Sequence, residues 1–79
     1  MTTVAAYILV QAEVGASSDV ALSAKEIDGV VAVDAITGPY DVLVKVEADN
    51  MDELGKKIVS DIQKIPGITR TLTCPVVKI

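Results

Sequence analysis

Two stretches of the chain, KEIDGVVAVDAI at 25–36 and QKIPGITRTLTC at 63–74, follow one local program 38 residues apart. In each, a helical pattern closes on Ile-x-Gly and a run of β-formers follows at once. Ile27 aligns with Ile65, Gly29 with Gly67, and Val30 with Ile68. Glycine just past a helix end is a common stop signal, so shared stop chemistry is one account of the match. The other account is that the chain consists of two β-α-β halves. It constrains the fold more than any other feature, because the remaining sequence supplies strands where two such halves need them.

Residues 3–11 are rich in β-formers and predict the first strand. Its period of two places Val4, Ala6, Ile8 and Val10 on one face and Ala5, Tyr7, Leu9 and Gln11 on the other. Both faces are mostly apolar, and a strand of that kind is covered on both. A helix follows within 15–29. Ser17 or Ser18 is the expected cap, Val20, Ala24 and Ile27 share a face with Ala21 beside them, and Gly29 is the stop. Residues 30–37 and 41–48 predict strands two and three around the turn Thr37-Gly38-Pro39-Tyr40. Strand three alternates Val42, Val44, Val46 and Ala48 against Leu43, Lys45 and Glu47. Residues 50–67 predict the second helix. Asn50 and Glu53 have the spacing of a capping box, and Met51, Leu54, Ile58, Ile62 and Ile65 form its apolar stripe. Residues 68–77 predict strand four, with Pro75 marking its later part as an edge or a bulge. The order β-α-β-β-α-β is that of the ferredoxin-like α+β fold, a four-stranded antiparallel sheet with both helices on one face.

That arrangement leaves one sheet face without cover, and composition shows why this matters. The chain has 79 residues, 51% of them hydrophobic, with no Phe or Trp. A single small domain of this size has a marginal core and usually needs a staple. One cysteine excludes an internal disulfide, and the absence of histidine removes the usual zinc ligand sets. Self-association remains, with Tyr7 and Leu9 on the face to be covered. The net charge is −4 and the seven basic residues form no cluster, which argues against direct nucleic-acid binding. The apolar run at 4–10 is too short for a membrane span, and no basic signal-peptide start precedes it. With no disulfide framework, the expected compartment is the cytoplasm.

Little in the sequence supports catalysis. Without histidine there is no imidazole base or triad. The glycines are scattered rather than gathered into a phosphate loop, and no cofactor is expected. Cys74, in an apolar strand without a basic neighbour, reads as a buried inert thiol. The remaining candidate is Gly38-Pro39-Tyr40-Asp41. One reading is structural: Gly38 and Pro39 make the turn, Asp41 bonds a turn amide, and Tyr40 covers an edge. The other is functional. A carboxylate holds an ammonium group, and amides beside a glycine receive a carboxylate. Together these meet the two ends of an α-amino acid.

The apolar first strand, Ile27-x-Gly29-Val30, the Gly38-x-Tyr40-Asp41 turn running into VLVKV, the helix ending in IPGI, and Thr71-x-Thr73 together resemble the effector-binding (regulation of amino-acid metabolism, RAM) domain of the Lrp/AsnC feast/famine regulators. The resemblance covers the whole chain. It implies a ferredoxin-like fold whose sheets pair face to face in dimers, and dimers that join into octamers. It implies a small effector, commonly an amino acid, bound between subunits. It places Gly38, Tyr40 and Asp41 at that cleft, with Thr71 and Thr73 as further candidates for lining it or the dimer sheet. Full-length members carry an N-terminal helix-turn-helix, and this sequence begins at the first strand. The expectation is therefore a single effector domain that binds its ligand alone or joins full-length relatives. A purely structural assembly partner and a small dimeric α+β-barrel enzyme are the competing readings.

Overall fold

The computed structural model describes residues 3–77 and 79. Strand β1 spans Val4–Ala12, helix α1 Ser17–Lys25, β2 Val30–Ala35 and β3 Val42–Ala48. Helix α2 runs through residues 51–63 as one continuous element, and β4 spans Ile68–Pro75. The strands form one antiparallel sheet in the order β2-β3-β1-β4. β1 and β3, one from each half, pair at the centre, and β2 and β4 lie at the rims. This is the βαββαβ ferredoxin-like arrangement.

The core lies between the sheet and the helices. Ala6, Ile8 and Val10 of β1 and Val42, Val44 and Val46 of β3 are fully buried, facing Val20 and Ala24 of α1 and Leu54, Ile58 and Ile62 of α2. The helical stripe therefore packs as its spacing predicts, except that Met51 is exposed. The middle of α2, Leu54–Val59, is a π-helical stretch with wider turns. A strict 3.6-residue helix drifts by about 40° with each four-residue step. Wider turns reduce that drift and keep Leu54, Ile58 and Ile62 on one line. Asn50 caps the helix as predicted, its side-chain oxygen accepting the Glu53 amide at 2.8 Å. At α1 the expected serine cap is absent: the cap position is Ala16, without a side-chain bond. A turn in which the Ala16 amide bonds the Glu13 carbonyl starts the helix one residue earlier.

The internal repeat extends to fine detail. Gly29 and Gly67 take φ of 98° and 95°. Their carbonyls accept the Glu47 and Glu13 amides, both at 2.8 Å. Immediately after each glycine the strand bulges. The register of β2 slips between Val30 and Ala32, and two β4 residues beyond Arg70 are taken up where β1 steps from Gln11 to Ala12. Each bulge switches faces. Val30 and Ile68 thereby reach the core, while Ala32 and Arg70 point the other way.

Candidate functional site

The turn between β2 and β3 sits at the end of the sheet where β1 runs out. β3 starts at Val42, one step too late to bond the Ala12 amide, and a buried or half-buried amide needs a partner. Asp41 supplies it: the Ala12 amide donates to Asp41 Oδ2 at 2.8 Å. The Asp41 amide donates to the Val10 carbonyl at 2.9 Å, and its carbonyl accepts the Ile36 amide at 2.9 Å. Asp41 thus closes the β2–β3 hairpin and locks it to β1. One carboxylate oxygen is committed to this work and the other, Oδ1, makes no bond among the described residues.

Gly38 lies at the turn tip with φ of 141°, and nothing would meet a Cβ within 4 Å. Tyr40 is half-buried beside it. Gln11 ties the turn to the far side of β1. Its Nε2 donates to the Pro39 carbonyl at 3.2 Å, and its own carbonyl accepts the Thr69 hydroxyl at 3.1 Å. Thr69 is the residue extruded by the β4 bulge, so the bulge and the turn are joined through one glutamine. Sequence reading did not single out Gln11 as a site residue. Its only signal was a polar end to an otherwise apolar strand.

The five predicted residues do not form one cluster. Gly38, Tyr40 and Asp41 stand together. Thr71 pairs with Val10 and Thr73 with Ile8, whose side chains are core, so both threonines lie on the helix-covered face of β4. Thr71 accepts a bond from Gln63 of α2 at 3.3 Å. Two strand spacings, roughly 10 Å, separate β4 from β3. Neither threonine is on the open face of the sheet. Cys74 is: it pairs with Tyr7 and is exposed, not buried as its apolar surroundings in sequence suggested.

Two shallow depressions flank the sheet ends. One, of about 250 Å³, is lined by Gln63, Ile68, Thr69, Arg70 and Thr71. The other, of about 230 Å³, is framed by Asp28, Glu47, Asp49, Glu53 and Lys57 around Gly29. Pockets that bury a small ligand usually measure about 300–1,000 Å³, so each is a partial site at most. Among the described residues no group of side chains has the makings of a metal site, and no helix is long and apolar enough to cross a membrane.

Comparison with known proteins identifies the module. Residues 5–79 match the model of the Lrp/AsnC ligand binding domain. Over 73 residues the chain is 37% identical to the HTH-type transcriptional regulator FL11 of Pyrococcus horikoshii, covering 92% of this chain and 48% of that protein. It is 46% identical over 52 residues to a homocitrate synthase of Sulfurisphaera tokodaii, a match covering 66% of this chain and 11% of the enzyme. The chain thus spans about half or less of the curated relatives it matches. The crystal structure of FFRP-DM1 superposes with a TM-score of 0.86 at 31% identity, covering 94% of this chain and 99% of that one. The fold is also that of NMB0573 from Neisseria meningitidis in its complex with L-Met, with a TM-score of 0.82 at 22% identity over 95% of this chain and 50% of that one. By its sequence over nearly its whole length, and by its sheet order and paired halves, the chain belongs to the Lrp/AsnC ligand-binding domain family.

Proposed function

We propose that the chain is a non-enzymatic, self-assembling sensor of an amino acid that acts in transcriptional regulation. The observation that carries this reading is the Gly38–Asp41 turn. Asp41 is fixed by its bond to Ala12, yet its Oδ1 is unbonded among the described residues. Gly38 faces open space. A rigidly held carboxylate suits an ammonium group, with the bond charge-assisted. The uncrowded backbone at Gly38 suits a carboxylate. Tyr40 stands between them as the side chain that a ligand would pack on. The fold neighbour NMB0573 forms a complex with L-Met, which agrees with a ligand of this class. Thr71, bonded to Gln63, and Thr73 both lie on the helix-covered face and take no part in the proposal. Neither depression is lined by Gly38, Tyr40 or Asp41, and in this reading a second copy supplies the remaining walls of the cleft at the turn. Higher assemblies such as octamers, and mixed assemblies with full-length regulators, follow as ways to transmit the signal.

A panel of the twenty amino acids at millimolar concentration tests the reading by thermal unfolding. A ligand present at 100 times its dissociation constant adds about 2.7 kcal/mol of stability, an easily measured rise in melting temperature. No shift with any of them, at a protein concentration where the chain is assembled, refutes effector binding.

A second reading has its own support. The segment shared with the homocitrate synthases is a small part of an enzyme. In this reading the module would act on a catalytic domain and not on a DNA reader. Affinity purification from cell extract separates the two: recovery of a helix-turn-helix relative favours the first, and recovery of a biosynthetic enzyme the second.

A further inference from the structure

Asp28-Gly29 is the one place in the chain where an aspartate precedes a glycine. Every other aspartate, and the single asparagine, Asn50, precedes a residue with a side chain. The difference is chemical. The amide nitrogen of the following residue attacks the side-chain carbonyl carbon of an aspartate most readily when no Cβ on that residue hinders the approach. Glycine has none.

The two residues belong to the turn between α1, which ends at Lys25, and β2, which starts at Val30. Asp28 is exposed, and its carboxylate joins no ion pair among the described residues. The Gly29 amide makes no backbone bond among them either, although the Gly29 carbonyl accepts the Glu47 amide and the Val30 amide donates to the Ile27 carbonyl. The nitrogen that must attack is therefore unengaged while its surroundings are held. The depression of about 230 Å³ that Asp28, Gly29 and Glu47 help to line opens the same spot to solvent.

We propose that Asp28-Gly29 is a site of spontaneous isoaspartate formation in the folded protein, and that conversion there releases the Glu47 end of β3. Gly29 N forms a bond to Asp28 Cγ, and the carboxyl hydroxyl leaves with the amide proton as water. Water then adds to one carbonyl of the five-membered imide. Cleavage of the new N–Cγ bond restores aspartate. Cleavage of the original peptide bond leaves isoaspartate, whose main chain runs through Cβ and Cγ and whose free carboxylate is the former backbone carbonyl. Mass and formal charge end unchanged, but the main chain is one atom longer just before Gly29.

That position has no slack. Gly29 holds a φ of 98°, and a Cβ on it would overlap Ile58 and lie 3.2 Å from the Glu47 carbonyl. An added main-chain atom shifts the glycine out of this fit and away from the Glu47 amide, which its carbonyl holds at 2.8 Å. The internal repeat supplies a control. The Gly67 carbonyl holds the Glu13 amide at the same 2.8 Å, but the residue before it is Pro66, which has no carboxyl to close an imide.

The test incubates the intact wild-type chain, Asp28→Glu and Asp28→Asn under native conditions, with a peptide of residues 25–31 timed alongside. Glutamate would need a larger ring that closes slowly, and asparagine forms the same imide with loss of ammonia instead of water. When half of the peptide has isomerised, the wild-type chain is expected to contain isoaspartate at position 28. Peptide mapping locates it, and an isoaspartyl carboxyl methyltransferase with S-adenosylmethionine labels its new carboxylate. Asp28→Asn is expected to convert faster than wild type, and Asp28→Glu to show no conversion. In the isolated isoaspartyl form, hydrogen exchange at the Glu47 amide is expected to accelerate by about tenfold or more, with the Glu13 amide unchanged. No isoaspartate at position 28 in the wild-type chain, or as much labelling in Asp28→Glu, overturns the site. Unchanged exchange at Glu47 overturns the release of β3.

Discussion

Replacing Asp41 with alanine separates its work in the fold from any work on a ligand. The half-buried carboxylate accepts the Ala12 amide at 2.8 Å, at a point where the β1–β3 ladder has no further backbone partner to offer. Alanine leaves that amide unpaired in a partly desolvated place, at a cost of about 1–3 kcal/mol. The backbone bonds of residue 41, to Val10 and Ile36, persist, so the hairpin is loosened and not erased. The substitution Asp41→Asn keeps an acceptor of the same shape without the charge. Because charge-assisted bonds are roughly twice as strong as neutral ones, it is expected to cost about half as much. The assay is urea unfolding with linear extrapolation, at one fixed protein concentration because association contributes to apparent stability. Hydrogen exchange at the Ala12 amide reports on the same bond directly and should accelerate in the alanine variant. A loss below about 0.5 kcal/mol for Asp41→Ala, with exchange at Ala12 unchanged, refutes the anchoring role.

Four further substitutions probe the frame of the fold. Gly29→Ala and Gly38→Ala both place a side chain at positive φ, but the methyl at position 29 would overlap Ile58 and press on the Glu47 carbonyl at 3.2 Å, while position 38 is open; the first is expected to cost about 2–5 kcal/mol and the second about 1–2 kcal/mol in urea unfolding. Gly55→Ala, at a helical site with nothing within 4 Å, is expected to stabilise by about 0.5–1 kcal/mol, and a loss in the same assay would show that the wide turns of α2 need glycine there. Asn50→Ala removes the cap on Glu53 and is expected to lower stability by about 1 kcal/mol, read from the thermal midpoint.

The order of elements was legible because each kind of segment has its own period. Val42, Val44 and Val46 alternate, Leu54, Ile58 and Ile62 recur at helical spacing, and all six are buried where those periods place them. Pro75 correctly marked β4 as a rim strand. Periodicity also set the limit. It assumes an unbroken strand, and both rim strands bulge just after a glycine. Strict alternation from Ile68 puts that residue on the face of Arg70 and Leu72, whereas the bulge sends it to the core. The same parity held Thr71 and Thr73 together, but only the pairing with Val10 and Ile8 shows that their face is the helix-covered one. At the site, Gly38, Tyr40 and Asp41 were legible as neighbours in a turn. The bond from Ala12 to Asp41 spans 29 residues, and no local pattern encodes a contact that distant. Cys74 looked buried because its neighbours in sequence are apolar, yet exposure of a strand residue depends on what covers its face.

The two bulges bear on how far this molecule can aggregate. Each outermost strand begins with a kink that breaks the even row of amides and carbonyls another chain would need for lateral addition. Pro75 removes one more donor at the far end of the β4 side. Sideways growth into ribbons is thereby discouraged at both margins, although more than half the residues are hydrophobic. What stays open to a neighbour is a flat surface that two copies can close off completely, so a sequence this oily can form finite particles instead of fibrils.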